Sequence, residues 1–353
     1  MSGAHTPSSR IATPAQHPPA PSRTGAILAA SAAALMVAAL YNTHRARKAE
    51  REHPPGGRFI TVDGVRLHYF EKGEGPPVVL IHGNAVVAED FLISGLFDRL
   101  AVRHRVIAFD RPGYGYSERP RGVLWTAAQQ ADLLWRACGR LRIDRPVIAA
   151  HSWGTLVALE MALTRPDGVA GLVLLAGYYA ATMRYDVPLF ALPAVPIIGD
   201  VLRYTLSPLI GAALLPMDFK AVFGPHPVPE RFLRHFPSAF LIRPSQIRAE
   251  SQDAVTMMPA AAALRDRLPR LRRPVVIMAG TGDHIVDHES HAVWLHHRIP
   301  GSELRVLPGV GHMIHYAALG QVAEAIGRLA GTAAAAPSQA PARRVMADGL
   351  SPA

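Results

Sequence analysis

The chain has 353 residues, 37 basic side chains against 27 acidic ones and a formal net charge of +10. With 49% hydrophobic and 18% charged residues, it has enough apolar material for one large core or two ordinary ones. A single cysteine, Cys138, excludes an internal disulfide framework, and arginines scattered without interleaved aromatics argue against nucleic acid as a partner.

Residues 1–24 are rich in Pro, Ser, Thr and Ala and are expected to be a disordered tail. Gly25 to Tyr41, "GAILAASAAALMVAALY", carries no charge and is followed by "NTHRARKAER", so 42–55 reads as a basic linker. At 1.5 Å per residue the apolar stretch reaches about 25 Å, the short end for a bilayer core of about 30 Å. A single-pass membrane anchor is the expectation. A cleaved export signal, with small residues at 37–39, and an arginine-bearing organellar leader fit the same pattern. For an anchor, Arg45, Arg47, Lys48 and Arg51 outnumber Arg10 and Arg23, which places the large domain in the cytoplasm.

From about 56 to 331 the chain alternates short apolar runs with helical periods. "RFITVDGVRLHYFEKGEG" reads as a hairpin turning at Asp63-Gly64. "PPVVLIHG", "HRVIAFD", "RPVIAA", "GLVLLAG" and "RPVVIMAG" suit strands buried on both faces. "TAAQQADLLWRACGRL" and "TLVALEMALTR" carry helical periods between them. The fold class is therefore α/β, a mainly parallel twisted sheet with helices on both faces. The core is expected over 56–177 and 263–331. The interval 178–262 is too long for a loop and is expected to form a helical cap over the sheet's carboxyl edge. From Val187 to Met217 its only charges are Asp200 and Arg203, which suits an apolar lid or a surface that meets a membrane or a lipophilic substrate. Residues 332–353 are low-complexity and expected to be disordered.

"RPVIAAHSWGTLVALEMA" drives an apolar run straight into a helix through Ser152. A serine on so tight a strand–turn–helix exposes its Oγ at the sheet edge, and the residues two before and two after, Ala150 and Gly154, must be small. A serine that merely caps the helix fits the same five residues. Three further stretches favour a nucleophile. "VVLIHGNA" ends a strand at His82-Gly83-Asn84, where backbone can approach a reacting group. "VVIMAGTGDHIVD" sets Asp283 just past another strand, and "LRVLPGVGHMIHY" sets His312 in a glycine-flanked loop.

The order Ser152, Asp283, His312, with the loop "FDRPGYGYSERP", resembles the α/β-hydrolase superfamily over roughly 56–330. The resemblance implies Ser152 as nucleophile, His312 as base and Asp283 as its orienting acid. It also implies oxyanion donors from the Asn84 and Trp153 backbone, with His82, Gly83, His151 and Gly154 in support. No cofactor and no metal are implied. "HGN" and "H-nucleophile-W-G" are most similar to the haloalkane dehalogenase and epoxide hydrolase branch. That branch uses an aspartate nucleophile, and a serine does not support its alkyl-ester chemistry. The expected activity is hydrolysis of a lipophilic carboxylic ester or thioester through an acyl-enzyme. Carbon–carbon bond hydrolysis with the same residues, a non-catalytic binding module and a cofactor-free oxygenase are the alternatives.

Neighbours of these residues compete for the same roles. Asp287 lies past the same strand as Asp283 but farther from its end. His315 follows His312 closely and is expected at the start of the last helix. His284, His288 and His291 fall at i, i+4 and i+7 beside Asp287, a spacing that suits a metal as well as a polar helix face.

Overall fold

The computed structural model describes residues 22–182 and 191–335, so the tail readings for 1–21 and 336–353 and the cap residues 183–190 lie outside the described residues. The first element, α1, runs from Arg23 to Glu52, capped by Ser22, whose Oγ accepts from the Gly25 N–H at 3.1 Å. The basic stretch read as a linker is thus helical as far as Glu52. Its cause is local and tertiary together. "RARKAE" is made of good helix formers, Lys48 and Glu52 pair at i,i+4, and Asn42 and Ala49 are buried against the rest of the chain.

β1 (Arg58–Val62) and β2 (Val65–Lys72) form the expected hairpin, with Val62 paired to Val65. Asp63 at φ 49° and Gly64 at φ 80° make the two-residue turn, the left-handed pair that matches strand twist. The chain continues through β3 (Pro77–Ile81), α2 (Glu89–Ser94), α3 (Leu96–Ala101), β4 (Arg105–Phe109), α4 (Ala127–Arg140), β5 (Val147–His151), α5 (Gly154–Thr164) and β6 (Gly171–Leu175). After β6 come the helices α6 (Ile198–Tyr204), α7 (Leu206–Phe223), α8 (Glu230–His235) and α9 (Pro244–Leu264). β7 (Val275–Gly280), a π turn at Glu289–Val293 leading into α10 (Trp294–His296), β8 (Glu303–Leu307), α11 (Ile314–Ala317) and α12 (Leu319–Ala335) complete it.

The eight strands form one sheet in the order β1-β2-β4-β3-β5-β6-β7-β8. β1, β2 and β4 pair antiparallel; every pair from β4 to β8 is parallel. Alternate residues of each strand serve different cores. Val79, Ile81, Ile148 and Ile277 pack with α4 and α5 on one face. Val78, Leu80, Val147 and Met278 pack with α2, α3 and α12 on the other. This double burial explains why the parallel strands read as unbroken apolar runs. A third, aromatic cluster joins α7, α8 and the loop before α11 through Phe223, Phe232, Phe236 and Met313.

Candidate active site

The carboxyl ends of β5, β7 and β8 deliver Ser152, Asp283 and His312 to one place. Ser152 sits at φ 50°, a left-handed backbone held by its own N–H donating to Leu175 O at 2.8 Å and by Thr155, whose Oγ1 donates to Ser152 O at 2.6 Å. Such a conformation costs a non-glycine residue about 1–3 kcal/mol and persists only where surroundings dictate it. Gly154 is dictated by close approach: a Cβ there would lie 2.4 Å from His82 O and 2.8 Å from Ile81 O. Gly154→Ala is expected to lower stability by about 1–3 kcal/mol and to push the Ser152 turn away from β3. A urea midpoint unchanged from the parent would refute this.

Ser152 Oγ lies 3.0 Å from His312 Nε2, and His312 Nδ1 donates to Asp283 Oδ2 at 2.8 Å. The other Asp283 oxygen accepts the Ile285 and Val286 N–H groups at 2.8 and 2.9 Å. Burial alone would raise this carboxyl. The His312 ring and the two N–H donors outweigh it and hold Asp283 below its ordinary value. Donation from Nδ1 leaves Nε2 free to accept from Ser152.

The rivals are placed elsewhere. Asp287 accepts from the Ser290 N–H and hydroxyl and so caps the π turn. His315 is fully buried in α11, a short helix ahead of the last one, and donates to Asp90 at 2.6 Å. His291 accepts the Tyr179 and Ala180 N–H groups at Nδ1, pinning the segment after β6. His284 is exposed, and among the described residues no group of three or more His, Cys, Asp or Glu is disposed to hold a metal.

Residues 76–318 match the family described as the alpha/beta hydrolase fold. The chain belongs to this family. Haloalkane dehalogenase 2 of Mycobacterium tuberculosis is 30% identical over 233 residues, 65% of this chain and 76% of that protein. A 2-hydroxy-6-oxo-2,4-heptadienoate hydrolase of Pseudomonas putida is 25% identical over 264 residues, 73% of this chain and 90% of its own length. A solved esterase from Exiguobacterium antarcticum superposes on 78% of this chain and 99% of its own, with a TM-score of 0.64 and 22% identity, which shows the shared fold.

In this α/β-hydrolase the loop after β3 is braced from below. His82 Nδ1 donates to Gly83 O at 2.7 Å, and its Nε2 accepts the Arg111 N–H at 2.9 Å. Burial and the adjacent Arg111 push His82 down to about 3, so it is the neutral Nδ1–H tautomer. His151 is likewise held well below its ordinary value by burial and by His312 and His315. Its Nε2–H donates to His312 O at 3.1 Å and so steadies the loop that carries His312.

Sequence reasoning missed the group that ties this loop together. Arg111 is wholly buried and spends its guanidinium on five acceptors: His82 O, Gly83 O, Asn84 Oδ1, Gln130 Oε1 and Asp253 Oδ2. It stacks over the Trp153 and Tyr114 rings, 4.4 and 4.3 Å from their centroids. Asp253, inside α9, also accepts from Arg119 at 2.9 Å and from the Tyr114 hydroxyl at 3.0 Å, and its carbonyl accepts the Trp153 indole N–H. The "DRPG" stretch marks Arg111 in sequence; Asp253 has no local mark.

Glu250, one turn before Asp253 on α9, accepts from Gln246 Nε2 at 3.2 Å. Burial pushes it from 4.5 up to about 8, with Asp253 and Asp218 adding to the rise and Gln246 and Arg111 opposing it. Its contribution to stability is present in full below about pH 4.5 and is lost as pH rises toward 8, because the folded state must then hold an unfavourable charge. Relative to Glu250→Gln, the parent protein is expected to lose stability steadily between pH 5 and 8. A pH-independent gap between their urea midpoints would refute the assignment.

Proposed function

We propose that this α/β-hydrolase is a serine hydrolase that cleaves a lipophilic carboxylic ester or thioester. The observation that carries the proposal is the continuous chain Ser152 Oγ, His312, Asp283, with links of 3.0 and 2.8 Å. Ser152 attacks the carbonyl carbon while its proton passes to His312 Nε2; the imidazolium, held by Asp283, returns that proton to the leaving alcohol or thiol. Water, deprotonated by the same ring, then releases the acyl group. Backbone N–H groups of Asn84 and Trp153 receive the oxyanion, the first from the braced loop after β3, the second from the start of α5. A cavity of about 200 Å³ reaches the two residues that flank His312, Gly311 and Met313, and is otherwise lined by groups such as Phe223, Pro227 and Tyr316, which favours an apolar substrate portion.

Labelling by a lipophilic fluorophosphonate tests this reading. The intact protein is expected to be labelled, and Ser152→Ala and His312→Ala are not. A folded, unlabelled parent would sink the serine-hydrolase assignment. A second reading, hydrolysis of a carbon–carbon bond in a vinylogous diketone, draws on the likeness to the Pseudomonas putida hydrolase. Turnover of such a diketone faster than of an ester panel would favour it.

The same proposal includes an anchor. From Thr24 to Thr43 α1 carries no charge, and 20 helical residues span about 30 Å, the thickness of a bilayer core. The apolar window of α1 is 0% buried against the protein. Arg45, Arg47, Lys48 and Arg51 follow it, which favours the catalytic domain on the cytoplasmic side.

A further inference from the structure

We infer that the α6–α7 face of the cap docks on the lipid bilayer, so that the domain lies on the membrane rather than hanging from it; this rests on α1 being the membrane anchor. The apolar half of α1 projects away from the domain, while its second half packs against α6, α7 and the turn at Ser238–Phe240. The junction is specific. Asn42, 2% exposed, donates Nδ2 to Tyr204 O at 3.0 Å and to Thr205 O at 2.7 Å. These are the carbonyls at the α6–α7 corner. One side-chain amide therefore fixes that corner at the end of the uncharged stretch, the level at which α1 leaves the bilayer.

The cap surface at this level is apolar. Ile197, Ile198, Val201, Leu206 and Ile210 are 79%, 58%, 48%, 46% and 57% exposed. Exposed apolar side chains gathered in one region mark an interaction site, and the Asn42 bonds hold this corner against α1, whose Leu40, two residues earlier, is 66% exposed. α7 itself is 18 residues long and apolar, but it cannot leave the domain to span a membrane. Phe223 at its end and Phe219 within it are locked into the aromatic cluster with Phe232 and Phe236. It lies on the domain's surface with its outer side chains free, as an interfacial helix does. The basic residues after Thr43 sit on α1, within reach of anionic headgroups.

The full chain in phosphatidylcholine–phosphatidylglycerol vesicles decides this. Ile198→Cys and Ile210→Cys would carry an environment-sensitive fluorophore, with Val102→Cys as control. Val102 is 79% exposed just before β4, at the edge of the sheet opposite the cap, and the native Cys138 is buried and out of reach. Both cap probes are expected to shift to the blue and to be quenched by lipids carrying a nitroxide near the headgroup, while the control is not. Cap probes as unquenched as the control, on chain that sediments with the vesicles, would overturn the docking while leaving the anchor standing. Chain that stays in solution would overturn both. Shielding that rises with protein-to-lipid ratio, without nitroxide quenching, would assign the face to a second copy and also overturn the proposal. None of these readouts depends on hydrolysis.

Discussion

Ser152→Ala is expected to lower kcat for any ester substrate by about four to six orders of magnitude, and His312→Ala by a similar factor. The Ser152–His312 double variant should be no slower than either single one. The reason is chemical: a hydroxyl without a base and a base without a hydroxyl are equally unable to form an acyl-enzyme. Asp283→Asn should cost about 10⁴-fold, since an amide in that place turns the His312 ring to the wrong tautomer. The residual rate would come from binding and from the oxyanion donors. Steady-state kinetics on a panel of acyl esters checks all four variants. Additive losses in the double variant would mean that the two side chains do not act as one unit. A Ser152→Ala protein retaining a tenth of the activity would place the nucleophile elsewhere.

Removing the guanidinium of Arg111 is the other change with a large expected effect. Arg111→Met should destabilise the protein by about 3–5 kcal/mol, the usual cost of leaving a buried partner unpaired. Arg119 still reaches Asp253 at 2.9 Å, which pulls the value toward the lower end. Three of the five acceptors lie in the loop after β3, so the variant should also lose kcat beyond what its folded fraction explains. Arg111→Lys separates the two effects. An ammonium keeps the charge beside Asp253 but lacks the planar fork, so stability should largely return while kcat stays low. Urea unfolding followed by kinetics on the folded fraction makes the test. An Arg111→Lys enzyme with parental kcat would show that the loop positions itself without this side chain.

The parts of this molecule that obey local rules could be read from the chain. Continuous apolar runs announced β3 to β7 because those strands are covered on both faces. The Asp63-Gly64 turn announced its hairpin because only such residues sit easily at positive φ. The small residues Ala150 and Gly154 announced the tight turn at Ser152, and the structure gives the reason in the 2.4 Å approach to His82 O. What stayed hidden depends on distance along the chain. Arg111 and Asp253 are 142 residues apart, and nothing in either neighbourhood tells of the other. The extension of α1 to Glu52 was missed for a similar reason. Charge after an apolar stretch looks like a tether, while the burial of Asn42 and Ala49 that makes it a rod comes from partners far away, such as Thr205 and Arg243, which pairs with Glu50 at 3.0 Å.

The fastening of Asp253 also divides the cap mechanically. Of the helices that follow β6, α9 is the beam held from below. It is bolted through two arginines and the Trp153 indole to the floor of the cleft. Opening by a rigid swing of the whole roof would break those bonds together and tear the loop after β3 out of shape at the moment it is needed. The stretch from 191 to 243 is fastened differently, through the aromatic cluster around Phe232, the Asn42 bonds to Tyr204 and Thr205, and single charged contacts such as Arg121–Asp200 and Arg243–Glu50, each 3.0 Å. The lintel over Ser152 is thus held by bonds that reach across the cleft, not by its own helix alone.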